Sequence, residues 1–370
     1  MKKVSNWLTS LNKFTKNSFL SYGTVIIFYV IMQLLIGGGN ISNSLEGQLV
    51  PICAYVVMAV SLNLTVGILG ELSLGHAGFM SIGAFAGVVA STTLRFNGIE
   101  SEPLRMLVAI VVGAVIAGIF GVLIGIPVLR LKGDYLAIVT LAFGEIIKDI
   151  LNCIYIGIDE SGLHFSVSKV ADLGLEGKSK VILNGPMGAT GVNKISTFTA
   201  GIILIIVTLF VVYNLTNSRS GRAIMSIRDN RIAAESVGIN ITKYKMMAFV
   251  TSAALAGCAG ALYGLNYSTV VASKFNFNTS ILVLVFVVLG GMGNIFGSVV
   301  VAAMLTVLPE MLRAFNDYRM LVYALVLILV MIITNNDKIK LYREQIKSKF
   351  TKKAPKKISQ NSKKEAASNE

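Results

Sequence analysis

Asn217–Lys245 reads NSRSGRAIMSIRDNRIAAESVGINITKYK. It is the long basic interlude between two apolar halves of the chain, with Arg219, Arg222, Arg228, Arg231, Lys243 and Lys245 against only Asp229 and Glu235. Such an excess marks a loop on the cytoplasmic side of a membrane. Within it, Ser220 is placed to cap a helix by accepting from free first-turn amides, and Gly238 to close it in the left-handed conformation. Ile224, Ile227, Ala234 and Val237 recur near helical spacing over about four turns, which predicts one helix lying across a surface with its arginines turned away. A basic helix of this kind suits anionic membrane lipid. The small pair Ala233 and Ala234, between Arg231 and Glu235, suits instead the close approach of another protein.

Outward from this stretch the chain is apolar in both directions. Hydrophobic residues make up 54% of the 370 and charged residues 14%, where a soluble chain carries about a quarter charged positions. The sequence therefore predicts an all-α, polytopic membrane helix bundle. The net charge of +14 does not point to nucleic acid, because the lysines and arginines fall in short segments between apolar runs rather than on one face. Cys53, Cys153 and Cys258 each sit in an apolar stretch without metal-ligand spacing, so neither a disulfide framework nor a metal site is expected. The first basic segment leads into a span with no small-residue cleavage site, so the first helix is expected to stay.

At about 20 residues per crossing, the apolar runs give about ten helices. They fall near 21–39, 48–68, 75–94, 106–129, 135–156, 196–216, 244–266, 279–293, 296–314 and 319–335. With the N-terminus inside, the lysine and arginine excess falls on the inner segments, and both termini come out cytoplasmic. Residues 1–20 form a basic cytoplasmic N-terminus, 21–335 a transmembrane domain, and 336–370 a lysine-rich, low-complexity tail that cannot bury enough apolar area to fold. Inside the transmembrane domain lie the cytoplasmic segment 217–243 and a polar outer loop, 158–195, long enough to have a job or structure of its own. Helices two to five and seven to ten have opposite orientation, as an inverted-repeat transporter requires. Gly83 with Gly87, Gly121 with Gly125, and Gly260 with Gly264 are spaced to let helices approach closely in lipid.

Three further stretches carry polar or glycine-rich signals inside apolar runs. In SLNLTVGILGELSLGHAGFMSIGAF, Ser61–Phe85, glycines interrupt a helix around Glu71, Ser73, Gly75 and His76. This reads either as a broken helix beside a water-lined cavity or as a cytoplasmic turn. In GDYLAIVTLAFGEIIKDILN, Gly133–Asn152, Glu145 and Lys148 are placed to pair, which offsets much of the cost of charge in a span. The other reading of that stretch has Thr140, Gly144 and Glu145 lining a transport path. In LGGMGNIFGSVVVA, Leu289–Ala302, Gly290, Gly291 and Gly293 form either a tight turn or a nest of amides for an anion.

These stretches carry a resemblance. RAIMSIRDNRIAAESVGINITKYK, the SLGHAGF run, the TLAFGEI run and LGGMGNIFG together resemble the permeases of ATP-binding-cassette importers for branched-chain amino acids, the LivM type, from about residue 50 to 333. The family usually ends its last helix with an Arg-Pro-x-Gly-Leu pattern, whereas this chain has Thr334, Asn335, Asn336 and Asp337. The resemblance implies a coupling segment that docks in a cleft of an ATPase subunit, with Arg222, Arg228, Asp229 and Glu235 as polar contacts and Ala233, Ala234 and Gly238 permitting close approach. The candidate substrate pathway comprises Ser73, Gly75, His76, Thr140, Gly144, Glu145, Gly290, Gly291 and Gly293; the resemblance covers the runs that hold them and does not by itself place His76 against substrate. The resemblance also implies partners: two ATPase subunits, a second permease of the LivH kind and an extracytoplasmic solute-binding protein, at a bacterial inner membrane. Leucine, isoleucine and valine are the expected solutes, with urea or short amides as the alternative in the same class. An ion-coupled secondary transporter working through Glu71 or Glu145 is the alternative of another class.

No cofactor and no enzymatic activity are expected. DLGLEGKS at 172–179 lacks the first glycine of a phosphate loop and no strand precedes it. Ser73 lacks the glycine that a nucleophile elbow requires two residues earlier.

Overall fold

The structure is a computed structural model that describes residues 13–39, 43–131, 133–177 and 179–312, with isolated positions up to 332. The expected basic N-terminus lies largely, the tenth helix almost wholly and the lysine-rich tail entirely outside the described residues. In chain order the helices are α1 (Lys13–Gly37), α2 (Asn43–Asn63), α3 (His76–Phe96), α4 (Glu102–Val128), α5 (Asp134–Cys153), α6 (Phe198–Asn217), α7 (Arg219–Asp229), α8 (Arg231–Ser236), α9 (Ile241–Gly264), α10 (Phe277–Gly290) and α11 (Ile295–Met311). Among the described residues seven helices, not ten, are long and apolar enough to cross a membrane. α5 falls short because Glu145, Lys148 and Asp149 interrupt its apolar run, and α11 because it has only 17 residues.

The centre of the bundle is α9 packed between α3 and α4. Small residues make this possible. A Cβ on Gly83 would strike the Gly257 backbone, one on Gly260 the carbonyl of Met80, and one on Gly121 the Cβ of Ala253 at 2.8 Å. All three glycine pairs anticipated from spacing thus lie at helix contacts, where backbones touch and dispersion rather than water drives packing. α2 is the most enclosed span, with Cys53, Ala54, Val57, Met58, Ala59, Val60 and Leu62 fully buried against α6, α9 and α11.

The all-α expectation fails between α5 and α6. Five short strands form one sheet, β1 (Tyr155–Asp159), β2 (Gly162–Ser166), β3 (Lys180–Asn184), β4 (Ala189–Thr190) and β5 (Thr269–Val270), in the order β2-β1-β3-β4-β5. The long polar loop between α5 and α6 therefore has structure of its own, and β5, which follows α9, ties it back to the bundle. The β1–β2 turn is set by Asp159. Its Oδ1 accepts from the Ser161 and Gly162 amides at 2.8 and 3.1 Å, and from the Ser161 hydroxyl at 2.6 Å. These bonds, with His164 Nε2 at 3.0 Å from Oδ2, hold the carboxyl well below its ordinary range.

Candidate functional site

The basic segment forms two helices, where the sequence predicted one. The N-cap is Ser218, which accepts from the Gly221 amide at 3.1 Å, rather than Ser220. The helix ends at Asp229 because Asn230 is extended and caps α8, accepting from the Ala233 amide at 3.0 Å. An asparagine side chain thus competes with the continuing helix for the same backbone donors. Gly238, at φ +83°, closes α8 as its composition suggested.

The two helices have an inner and an outer face. Ile224 and Ile227 are buried, and Ile227, Ala234 and Ile241 form a small core with Ile239 and Tyr244. Ala234 is thus turned inward, and its surface is not open to a partner as the sequence suggested. Val237, counted there on the buried face, is 74% exposed, and Ile232 is 82% exposed. Both lie among exposed Arg222, Arg228, Asp229, Ala233, Glu235 and Gly238. The outward apolar residues were missed because helical spacing was counted across a break that shifts the phase after Asn230.

Arg228 joins this segment to the bundle. Its Nη1 donates to the Gly67 carbonyl at 3.0 Å, while Nη2 and Nε hold Asp229 at 2.9 and 3.1 Å. Gly67 lies in a π-helical turn, Leu64–Leu69, that prolongs α2 and ends at Gly70 in the left-handed conformation (φ +81°). A Cβ on Gly70 would meet Arg228 Cγ at 2.5 Å, so the arginine stem lies on bare backbone. One residue on, Glu71 pairs with Lys245 at the start of α9. Lys245 is 3% exposed, and its partner explains how an ammonium is tolerated there. Glu71, Arg228, Arg231 and Lys245 border a polar cavity of about 220 Å³ beside Gly133.

Between Gly70 and His76 the chain is non-helical, and its freed polar groups are answered by neighbours. The Glu71 amide donates to the Thr65 carbonyl at 3.0 Å, and the Leu74 amide to Thr140 Oγ1 at 3.0 Å. Gly75 and Gly78 let this break lie against Thr140 and Gly144 of α5. His76 is 2% exposed and its Nε2 lies 2.7 Å from Ser61 Oγ, while the Ser61 backbone carbonyl accepts from Ser252. Ser73 is buried with its hydroxyl unpartnered among the described residues. Gly75, His76, Thr140 and Gly144 therefore come together as a packed joint around the start of α3.

Glu145 has two partners. It pairs with Lys148, as its spacing suggested, and its Oε1 accepts from the Phe277 amide, the first of α10, at 3.1 Å. Glu145 is near the middle of α5, so α10 begins partway along the bundle. Gly290, Gly291 and Gly293 lie elsewhere, at the end of α10 and in the turn that leads to α11. The Gly293 amide donates to Asn63 Oδ1 at 2.8 Å and the Gly291 amide to the Val288 carbonyl at 3.1 Å. With those donors engaged the turn is no anion nest. Asn63 also donates to Ser298 Oγ at 3.0 Å, which ties the turn to α2 one residue before the π-helical segment.

Comparison with known proteins places this arrangement. Residues 44–331 match the family model described as branched-chain amino acid transport system / permease component. The chain belongs to that permease family. It is 35% identical over 305 residues to the high-affinity branched-chain amino acid transport system permease protein LivM of Salmonella typhimurium, covering 80% of this chain and 70% of the relative. LivM of Escherichia coli is 34% identical at the same coverage. The corresponding permease BraD of Pseudomonas aeruginosa is 26% identical over 73% of this chain and 82% of its own length. The high-affinity branched-chain amino acid transport system permease protein LivH of Salmonella typhimurium is 25% identical over 75% of this chain and 89% of its own length. No solved structure matches the chain. This LivM-type chain is thus a multi-pass membrane permease that presents strongly exposed apolar residues on its basic segment.

Proposed function

We propose that this chain is the LivM-like half of an ATP-driven importer for leucine, isoleucine and valine, and that it does no catalysis itself. Two ATPase subunits supply the energy, a LivH-like permease completes the path, and an extracytoplasmic binding protein delivers the solute at the sheet end of the bundle. Both termini are cytoplasmic, and ten crossings in two inverted sets provide the alternating access.

The observation that carries the coupling part is the two-faced construction of α7 and α8. Ile232 and Val237 stand out of the surface, while Arg228 holds the inner side to Gly67. A partner that grips the outer face moves the π-helical turn through Arg228, and the turn moves α2 and the 291–293 turn through Asn63. Arg222, Asp229, Ala233, Glu235 and Gly238 are the remaining contact residues on that face.

The ion-coupled reading has less support. It needs a carboxylate free to exchange its proton or bind a cation, and Glu71 and Glu145 are each held by a lysine. The test is copurification with the ATPases in the Arg228→Glu plus Glu235→Arg double variant. Loss of the ATPases together with uptake supports the assignment. Retained binding with full uptake would sink it.

A further inference from the structure

Between α3, α4, α5 and the sheet lies a cavity of about 700 Å³. Its walls are apolar apart from Thr93, whose hydroxyl donates to the Val89 carbonyl at 2.8 Å and is thereby engaged. The wall runs from Ile82 to Leu94 on α3 and from Val108 to Phe120 on α4. At about 1.5 Å per residue that makes the cavity about 18 Å long. One leaflet of a bilayer is about as deep, half of a hydrocarbon core of about 30 Å. Ile150 and Phe165, which also border the cavity, are exposed, so it opens at the side of the bundle.

A buried charge stands at one end of it. Arg105 is 4% exposed, and its Nε and Nη1 are enclosed without a hydrogen-bond partner among the described residues. At about 100° per residue, Val108, Val112, Ile116 and Phe120 fall within about 60° to either side of Arg105, so the arginine continues the stripe of α4 that walls the cavity. Helical side chains lean toward the N-terminus, which carries the guanidinium beyond Val108, away from Phe120. α3 ends at the same level, where Arg95 follows the wall residue Leu94. Lys180 stands on β3, the strand that contributes Leu183 to the wall. Burial, and after it the nearby charge of Arg95, lowers the Lys180 ammonium below its ordinary range. Neither these three cations nor the exposed Glu100 and Glu102, in and just after the turn between α3 and α4, form an ion pair among the described residues. A guanidinium buried and unanswered is costly, and it calls for an anion.

We propose that the cavity holds an acyl chain of an anionic phospholipid, with the lipid phosphate on Arg105 and with Arg95 and Lys180 beside it. Only an amphiphile answers both observations. A free phosphate leaves the apolar cavity unfilled, and an amino acid brings an ammonium to a place where cations gather and no carboxylate lines the wall. A carboxylate from a neighbouring protein answers the arginine and leaves a cavity one leaflet deep empty. An acyl chain fills it, and each methylene buried adds to the binding. The headgroup is net negative, because no carboxylate is paired with any of the three cations. This goes beyond the importer reading and needs only a chain that spans a membrane.

The test uses the full chain, purified in detergent and freed of lipid, with phosphatidylglycerol, phosphatidylethanolamine and inorganic phosphate as probes. Bound lipid is counted by native mass spectrometry, and the melting point is followed alongside. One phosphatidylglycerol per chain is expected to bind, about tenfold tighter than phosphatidylethanolamine, and to raise the melting point, while inorganic phosphate gives no shift. Arg105→Gln is expected to weaken phosphatidylglycerol binding about tenfold, as the loss of one charged hydrogen bond does. The same change removes a stranded charge, so the lipid-free variant is expected to melt no lower than the lipid-free parent. Ala90→Phe, which narrows the cavity and leaves the cations in place, is expected to weaken the lipid as well. Equal affinity for the two lipids overturns the proposal, as does a shift with inorganic phosphate equal to that with phosphatidylglycerol. So does phosphatidylglycerol binding within twofold of the parent in either variant. A lipid-free Arg105→Gln chain that melts well below the parent, or does not fold, overturns it too, since the arginine then has its partner within the protein.

Discussion

The guanidinium of Arg228 donates to the carbonyl of Gly67, 161 positions earlier in the chain, at 3.0 Å. That bond is made possible by the position of Gly67 in the last turn of the π-helical segment, which ends at Gly70, where terminal carbonyls lack an intrahelical amide donor. Bonds of this charged kind are worth about 1.5–3 kcal/mol, enough to keep the loop helices and α2 moving as one body. Replacing Arg228 by methionine, which keeps the stem over Gly70, is expected to lower leucine uptake about tenfold or more. ATPase copurification should fall less, because Ile232 and Val237 remain. Equal uptake in the variant would remove the mechanical role of this bond.

The pair between Glu71 and Lys245 has its lysine buried and its carboxylate largely so. Removing one partner strands the other, which costs about 3–5 kcal/mol for a buried pair. Lys245→Met and Glu71→Leu are each expected to lower the melting point of the purified protein, and the double replacement to recover most of the loss. A double-mutant cycle in detergent measures this, and additive losses would show the pair to be uncoupled.

Gly260 lies against the carbonyl of Met80, and Gly83 against Gly257. Gly260→Val forces α3 and α9 apart, and overpacking of this kind costs typically about 1–3 kcal/mol. The expected outcome is reduced yield and a lower melting point. By contrast, a Cβ on Gly98 meets open space but the residue has a φ of +86°, so Gly98→Asn is expected to cost backbone strain alone, less than the packing loss at Gly260.

Glu145→Gln keeps a carbonyl to accept from the Phe277 amide and loses only the charge shared with Lys148. Uptake is expected to stay within a few-fold of the parent. Abolished uptake with intact assembly would favour the ion-coupled mechanism instead.

Asp159 titrates below its ordinary value of 3.8 because the folded hairpin supplies donors to its charged form, the Ser161 hydroxyl first. A carboxyl lowered on folding adds stability that is present above the unfolded value and lost as pH falls toward the folded one. The protection factors of amides in Tyr155–Asn184, taken relative to the intrinsic exchange rate at each pH, are therefore expected to be constant between about pH 8 and pH 5 and to fall below about pH 4. Asp159→Ala should show the lowered protection already at neutral pH.

Much of this was open to a reading of residues alone, and the misses have local causes. Among the described residues helices stand at nine of the ten expected positions, seven of them long and apolar enough to cross a membrane, since apolar run length follows from membrane thickness. The glycine pairs were legible because only close backbone contact makes use of them. The sheet was not, because its strands have two to five residues and pair with a segment, Thr269–Val270, some eighty positions away. The break at Asn230 was hidden too. Asparagine is tolerable in a helix, and only its bond to the Ala233 amide reveals it as a cap.

The sequence by itself determined the class of molecule: apolar spans and a basic segment between them follow from composition and spacing, and the permease family from the resemblance of a few short runs, all of them properties of neighbours along the chain. Only the tertiary structure decided which polar groups meet. Glu71 with Lys245, Gly67 with Arg228, Asn63 with Gly293 and Glu145 with Phe277 are separated by 132 to 230 positions. The physical reason is that burial leaves each of these groups a choice among all the partners the fold can bring to it, and that choice is settled by three-dimensional packing and not by any local period.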